Sequence, residues 1–97
     1  MFNTITSQKL EQYFSITQEA LDKVKGNLDQ KRLKEATDFL DMAQRYYDDA
    51  HYFFDKKQDV VLAFAALNYA HGWLDAGARI GLFKVKDSRL FTVDSEE

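Results

Sequence analysis

Hydrophobic residues recur along this chain with helical spacing almost from end to end. Leu10, Tyr13, Phe14, Thr17, Ala20, Leu21 and Val24 form an i, i+3, i+4 stripe, which predicts a helix from about Ser7 to Lys25. Gly26 follows as a natural C-terminal cap, because it reaches positive φ without a Cβ clash. Asn27 with Gln30 fits a capping box, and Asp29 is a rival cap for the next helix. Leu33, Ala36, Phe39, Leu40, Ala43, Tyr47, Ala50 and Phe54 line that second helix, expected over about residues 29–57 and about 40 Å long. Lys56 and Lys57 complement its dipole at the C-terminal end. Asp59 is the N-cap candidate of a third helix, expected over about residues 59–83. A tail, residues 84–97, carries Val85, Leu90, Phe91 and Val93 among charges and is expected to lie back over the helices, with residues 94–97 frayed. Short connections make this an all-α, antiparallel up-down-up three-helix bundle with the tail packed on it, one domain over residues 1–97.

The third helix has the least usual pattern. Ala63, Ala66, Ala70, Leu74, Gly77 and Gly81 fall on one narrow stripe at ~100° per residue. Such small residues let a neighbouring backbone come close. Gly72, Gly77 and Gly81 each cost about 1 kcal/mol against alanine in a helix interior, so close packing has to offset them. Gly77 and Gly81 also stand in Gly-x-x-x-Gly spacing within the expected helix, a close-packing signal and no phosphate loop. The opposite arc holds Asn68, Asp75 and Arg79 but also Val61, Ala65, Gly72 and Ala76, too little charge for a solvated face. The helix is therefore expected to be nearly surrounded. Either the other helices and the tail cover it, or part of it meets a second chain, a symmetric dimer being the default arrangement.

Composition narrows the classes. A net charge of −3 argues against wholesale nucleic-acid affinity. With no cysteine there is no disulfide framework, thiol nucleophile or thiolate metal site, which fits a reducing cytoplasm. The opening residues lack the basic start and apolar run of a signal peptide, and no apolar run is long enough to cross a bilayer. The aromatic cluster Tyr46, Tyr47, Tyr52, Phe53 and Phe54 is interrupted by Asp48, Asp49 and Asp55, so it reads as core and rim rather than a base-stacking platform. Lys31, Arg32 and Lys34 read as a solvated face.

Candidate chemistry gathers on two helices. Asn68, His71, Asp75 and Arg79 share a quarter of the third helix, and Asp48, His51 and Asp55 repeat at i+3 and i+4 on the second. Counting levels from a turn near Gln58 offsets the two histidines by about six residues, about 9 Å along the axis. That spacing tells against a shared metal, so neither a metal nor another cofactor is expected. The same counting brings Asp75 and Arg79 level with about Asp41 and Thr37, within reach of a pairing of Arg79 with Asp38 or Asp41 and of His71 with Asp48 or the Tyr47 hydroxyl. Such a polar seam fixes the register of the two helices, or forms one wall of a small-molecule pocket with Tyr46, Tyr47 and Trp73 as aromatic faces. No nucleophile elbow, phosphate loop or paired zinc motif is present.

The stretch Ala63-Phe64-Ala65-Ala66-Leu67-Asn68-Tyr69-Ala70-His71-Gly72-Trp73-Leu74-Asp75-Ala76-Gly77, with Arg79 and Gly81-Leu82-Phe83 after it, resembles a family of short archaeal proteins known as a domain of unknown function. Tyr47-Asp48-Asp49-Ala50 and Tyr52-Phe53 add to the likeness, which covers about the last two thirds of the chain. The resemblance implies a helical bundle and a cytoplasmic, archaeal origin; it carries over no reaction, ligand or catalytic residue. The leading expectation is a non-enzymatic interaction or scaffold module that self-associates, or meets a protein partner, through helix 3 and the tail, with neither nucleic acid nor membrane involved. The alternative is a small-molecule-binding or catalytic protein using Asn68, His71, Asp75 and Arg79 with Tyr47 and Asp48 opposite.

Overall fold

Helix starts in this chain are set by side chains that accept orphan backbone N–H groups. The computed structural model describes residues 4–92, and in it Thr6 Oγ1 accepts from the Lys9 amide at 3.0 Å to open α1, Ser7–Lys25. Asp59 does the same for the Leu62 amide at 3.0 Å, opening α3, Val60–Arg79. Between them Asp29 caps a 3-10 turn, Gln30–Arg32, that leads into α2, Leu33–Asp55. The second helix thus begins with a tighter turn than its periodicity suggests. Asn27 is no capping box for it: its amide donates to the Lys23 carbonyl at 2.7 Å and closes α1 instead. Gly26 has φ −97°, so α1 ends without the left-handed residue expected there. Gln58, at φ 52°, supplies the left-handed residue in the turn from α2 to α3.

Ring contacts fix the directions. Phe39 meets Trp73 at 5.0 Å and Tyr46 meets Tyr69 at 5.2 Å, so α2 and α3 run antiparallel. Tyr13 touches Phe64, and Thr17 pairs with His71, so α1 runs parallel to α3. The result is an up-down-up set of three α-helices among the described residues, with α3 as the hub: it packs most extensively on α2 and next on α1, while α1 and α2 touch least. In the level set by the ring pairs, Ala36, Ala43 and Ala50 of α2 come opposite Gly77, Ala70 and Ala63 of α3. Each of those alanines is fully buried. Small residues facing small residues bring the two axes together, as the stripe on α3 predicts. Leu33, expected in the buried stripe of α2, is 43% exposed instead, because the 3-10 turn before it rotates the start of the helix.

The third helix stops at Arg79, four residues before the expected end. Gly81 adopts φ +80°, and the Leu82 amide turns back to the Gly77 carbonyl at 2.9 Å. This turn lays Phe83 on Gly77: a Cβ at Gly77 would fall inside the Phe83 ring. The close neighbour at this end of the glycine stripe is therefore an aromatic side chain as well as a helix. The tail then runs antiparallel to α1, with Lys84 N–H donating to the Asn27 carbonyl at 2.7 Å, Lys23 pairing with Asp87 at 3.2 Å, and Arg89 on Glu19. Leu82, Phe83, Leu90 and Phe91 are buried by this route. Val93 and the frayed end expected at residues 94–97 lie outside the described residues.

The molecule measures 43 × 28 × 17 Å, and its radius of gyration of 14.0 Å exceeds the ~12.5 Å typical of this length. A helix with neighbours on opposite sides, each about 8–10 Å away between axes, needs more than the 17 Å of the shortest dimension once backbone width is added. One side of α3 therefore stays uncovered. The expectation that helices and tail wrap α3 on nearly all sides holds for its Ala63–Ala70–Gly77 edge and fails for the opposite one.

Candidate functional site

From Val60 to Leu74 the chain has no Asp, Glu, Lys or Arg. Fifteen residues of this kind make four turns of helix, and α1 and α2 leave part of those turns open. Val61 is 71% exposed and Tyr69 63% exposed, and Ala65, Asn68, Gly72 and Ala76 share the open side. Val61, Ala65, Asn68, Gly72 and Ala76 stand four, three, four and four residues apart, so they form one line along the helix. Beside this line, toward α2, lies an apolar groove of about 610 Å³ whose walls include Tyr69, Trp73 and Phe39. The stacked Tyr46–Tyr69 pair and the edge-on Phe39–Trp73 pair fix those walls. On the other flank, toward α1, a smaller groove of about 350 Å³ is lined by Tyr13, Ile16, Thr17 and His71. Asn68 and Gly72 form the ridge between the two.

Of the polar residues read as candidate chemistry, Asn68, His71 and Asp75 line the smaller groove together, with His71 Nε2 4.0 Å from Asp75 Oδ1, whereas Tyr47 and Asp48 of α2 do not join them. His71 faces α1 and the tail: its Nε2 lies 2.5 Å from the Leu90 carbonyl and its Nδ1 3.2 Å from Thr17 Oγ1. A carbonyl only accepts, so Nε2 carries the proton and Nδ1 accepts from the Thr17 hydroxyl. Asp75 accepts from the Thr92 amide at 2.8 Å and its hydroxyl at 3.2 Å. Both side chains thus hold the tail. Tyr47 is buried elsewhere, against the rings of Phe14 and His51, and that burial raises its phenol pKa. Asp48 accepts from Gln44 at 3.0 Å. Asp41, considered as a partner of Arg79, pairs with Arg45 at 2.9 Å, and Arg79 itself is exposed at the end of α3. The expected polar seam between helices 2 and 3 is therefore a clip between α3, α1 and the tail. The reason is rotational: at ~100° per residue His71 points about 160° away from Trp73, which faces α2. Among the described residues no group of three or more His, Asp or Glu is placed to hold a metal ion, and His51 sits with Asp55 at 3.6 Å, apart from His71.

The rest of the clip is electrostatic. Glu19 receives both terminal nitrogens of Arg89, one of them at 3.1 Å, and this hydrogen bonding holds its carboxyl below the ordinary range. The Arg89 amide, then the Lys23 ammonium, do the same for Asp87. Asp29 is held low by the Arg32 guanidinium at 2.9 Å and the Lys31 amide. Periodicity gives no sign that Thr17 meets His71 or that Glu19 meets Arg89, because each is an ordinary helix or loop residue until the path of the tail is known.

The family model of a protein of unknown function, DUF357, matches residues 12–83. The chain belongs to the DUF357 family. The match takes in most of α1, all of α2 and α3, and the turn that seats Phe83 on Gly77. The open face of α3 lies wholly within this DUF357 span, whereas the tail residues that clip to His71, Asp75 and Glu19 follow it. No curated protein and no solved structure matches the chain. No helix among the described residues is long and apolar enough to cross a membrane.

Proposed function

We propose that this DUF357 protein is a non-enzymatic interaction module and that the open side of α3 is its protein-binding surface. One observation carries the reading: an uncharged helical face stands open to solvent beside a groove walled by Phe39, Tyr69 and Trp73. A large contiguous apolar patch on a small domain marks a place where another surface belongs, and a ridge of Gly72 and Ala65 lets a second helix approach closely. The separation of Tyr47 and Asp48 from His71 and Asp75, with the latter two engaged in holding the tail, favours this over a catalytic or small-molecule site. The cysteine-free composition supports a cytoplasmic setting as part of the same proposal.

Position-specific photo-cross-linking in the cells that make the protein tests the reading. A photoreactive phenylalanine analogue replaces Tyr69 on the open face or Tyr52, 50% exposed and outside the groove. A discrete protein conjugate is expected from position 69 and none from position 52. No conjugate at position 69, or equal conjugates at both, overturns the proposal.

A further inference from the structure

Beyond Phe83 the tail carries its own set of contacts. Asp87 folds it into a hook: the Asp87 carboxylate accepts from the Arg89 amide at 3.0 Å, and the Asp87 carbonyl accepts from the Leu90 and Phe91 amides at 3.0 and 2.9 Å. The hook presents two adjacent side chains, Leu90 and Phe91, to the cleft between α1 and α3, and each is only 2% exposed. The cleft grips the hook by charge and by main chain. Glu19 receives Arg89, Lys23 donates to Asp87, His71 donates to the Leu90 carbonyl, and Asp75 accepts from the Thr92 amide. We infer that this cleft is a docking site for a linear segment of a partner protein with the pattern acid-x-Arg-Leu-aromatic, and that the tail is a ligand of that kind held in cis. The inference goes beyond the proposed binding surface and does not depend on the wider groove beside α2.

Three observations favour a displaceable ligand over a permanent part of the core. First, seat and occupant are separate along the chain. Thr17, Glu19, Lys23, His71 and Asp75 fall within residues 12–83, the span of the family match, and residues 84–92 follow it. Second, the contacts are those of peptide recognition. Two apolar anchors enter the domain, while side chains of the domain bind the main chain and the flanking charges. The Arg89, Glu19 and Lys23 side chains are about half exposed, so water and competing charges reach their ion pairs. Third, the tail underfills its seat. A hollow of about 440 Å³ lies between His71, Asp75 and residues 88–92 of the tail. The groove of about 350 Å³ shares His71 and Asp75 with it and runs on between Tyr13, Ile16 and Leu67. A partner segment with one further apolar side chain fills that groove, which the described tail leaves open. The added contact offsets the effective concentration of a tethered tail, which is about millimolar.

The test uses the full chain. In the unmodified protein the Leu90, Phe91 and Thr92 amides are all hydrogen-bonded, so their hydrogen exchange reports release of the hook. They are expected to exchange at least about 100-fold faster than the amides of Ala70 and Leu74 in the buried edge of α3. Equal exchange means that the tail leaves only when the helices unfold, which overturns the inference. A fluorescent peptide of residues 86–92 is then titrated into the unmodified protein and into the double variant Leu90→Asp, Phe91→Asp, whose own hook is dislodged. The peptide is expected to bind the double variant, and to bind the unmodified protein at least about tenfold more weakly because the tethered tail competes. Adding Glu19→Arg to the double variant is expected to weaken binding about fivefold, and a peptide carrying Arg89→Glu to restore it. No binding to the folded double variant at about 1 mM peptide, equal binding to both proteins, or a Glu19→Arg change without effect overturns the inference. A double variant found unfolded by circular dichroism makes the tail part of the core and overturns it too.

Discussion

Three glycines of α3 and its turn illustrate how one residue type serves different ends. At Gly77 there is no room, since an added Cβ meets the Phe83 ring, and that ring is only 1% exposed and boxed in. At Gly72 nothing lies within 4 Å of an added Cβ. Gly81 turns the chain with φ +80°. Gly77→Ala is therefore expected to destabilise by about 1–3 kcal/mol through overpacking. Gly72→Ala is expected to stabilise the isolated chain by up to about 1 kcal/mol through helix propensity. Thermal melts of dilute protein check both: the midpoint falls for the first and rises for the second, by about 4–8 °C per kcal/mol. A midpoint that rises for both variants removes the packing of Phe83 on Gly77. The sequence made Gly77 legible as a close-packing position from its place on the Ala63–Ala70 stripe. It misassigned Gly81 to the helix interior, because periodicity does not distinguish a stripe glycine from the left-handed residue that ends the stripe.

Among the elements, the tail is tied down by polar contacts in addition to its buried Leu90 and Phe91. Glu19 and Asp87 anchor it through Arg89 and Lys23, and both carboxyls are held below their ordinary values by those partners. A carboxyl with a lowered folded-state pKa adds stability that is fully present above its unfolded value, about 3.9–4.3. That stability is lost as pH falls through the lowered value. The double variant Glu19→Gln, Asp87→Asn is thus expected to melt below the unmodified protein at neutral pH, with the gap closing as pH drops below about 4. A gap that stays constant down to pH ~2 would show that these carboxylates do not hold the tail by charge. Helix existence and pairing order are legible because long amphipathic periods and short connections leave few arrangements, whereas counting from Gln58 sets the level of α2 against α3 about three residues away from the one the ring pairs show. The polar clip is not legible. Counting sets His71 and Asp75 against α2, but a level along an axis does not fix rotation about it, and the partner surface on α1 is visible only with the tail in place.

For the whole molecule the decisive quantity is coverage. Two other helices and a short tail do not enclose a twenty-residue helix on every side, and the exposure of Val61 and Tyr69 records the side that is missing. The deficit of charge at Val61, Ala65, Gly72 and Ala76 made this face legible in the sequence as something other than ordinary surface. Which neighbour covers it was not legible, because a tail folded over the helix and a second chain ask for the same residue types. The described tail goes to the α1 side and leaves the face open.

Ala65 stands exposed on the open side of α3 and in the wall of the groove. Photo-cross-linking from position 69 in the producing cells, with and without Ala65→Glu, is the measurement closest to the central claim. If the open side of α3 is a protein-binding surface, the conjugate forms with Ala65 in place. Ala65→Glu, folded by circular dichroism, then loses it. A conjugate that forms equally in both proteins, or in neither, would contradict the account.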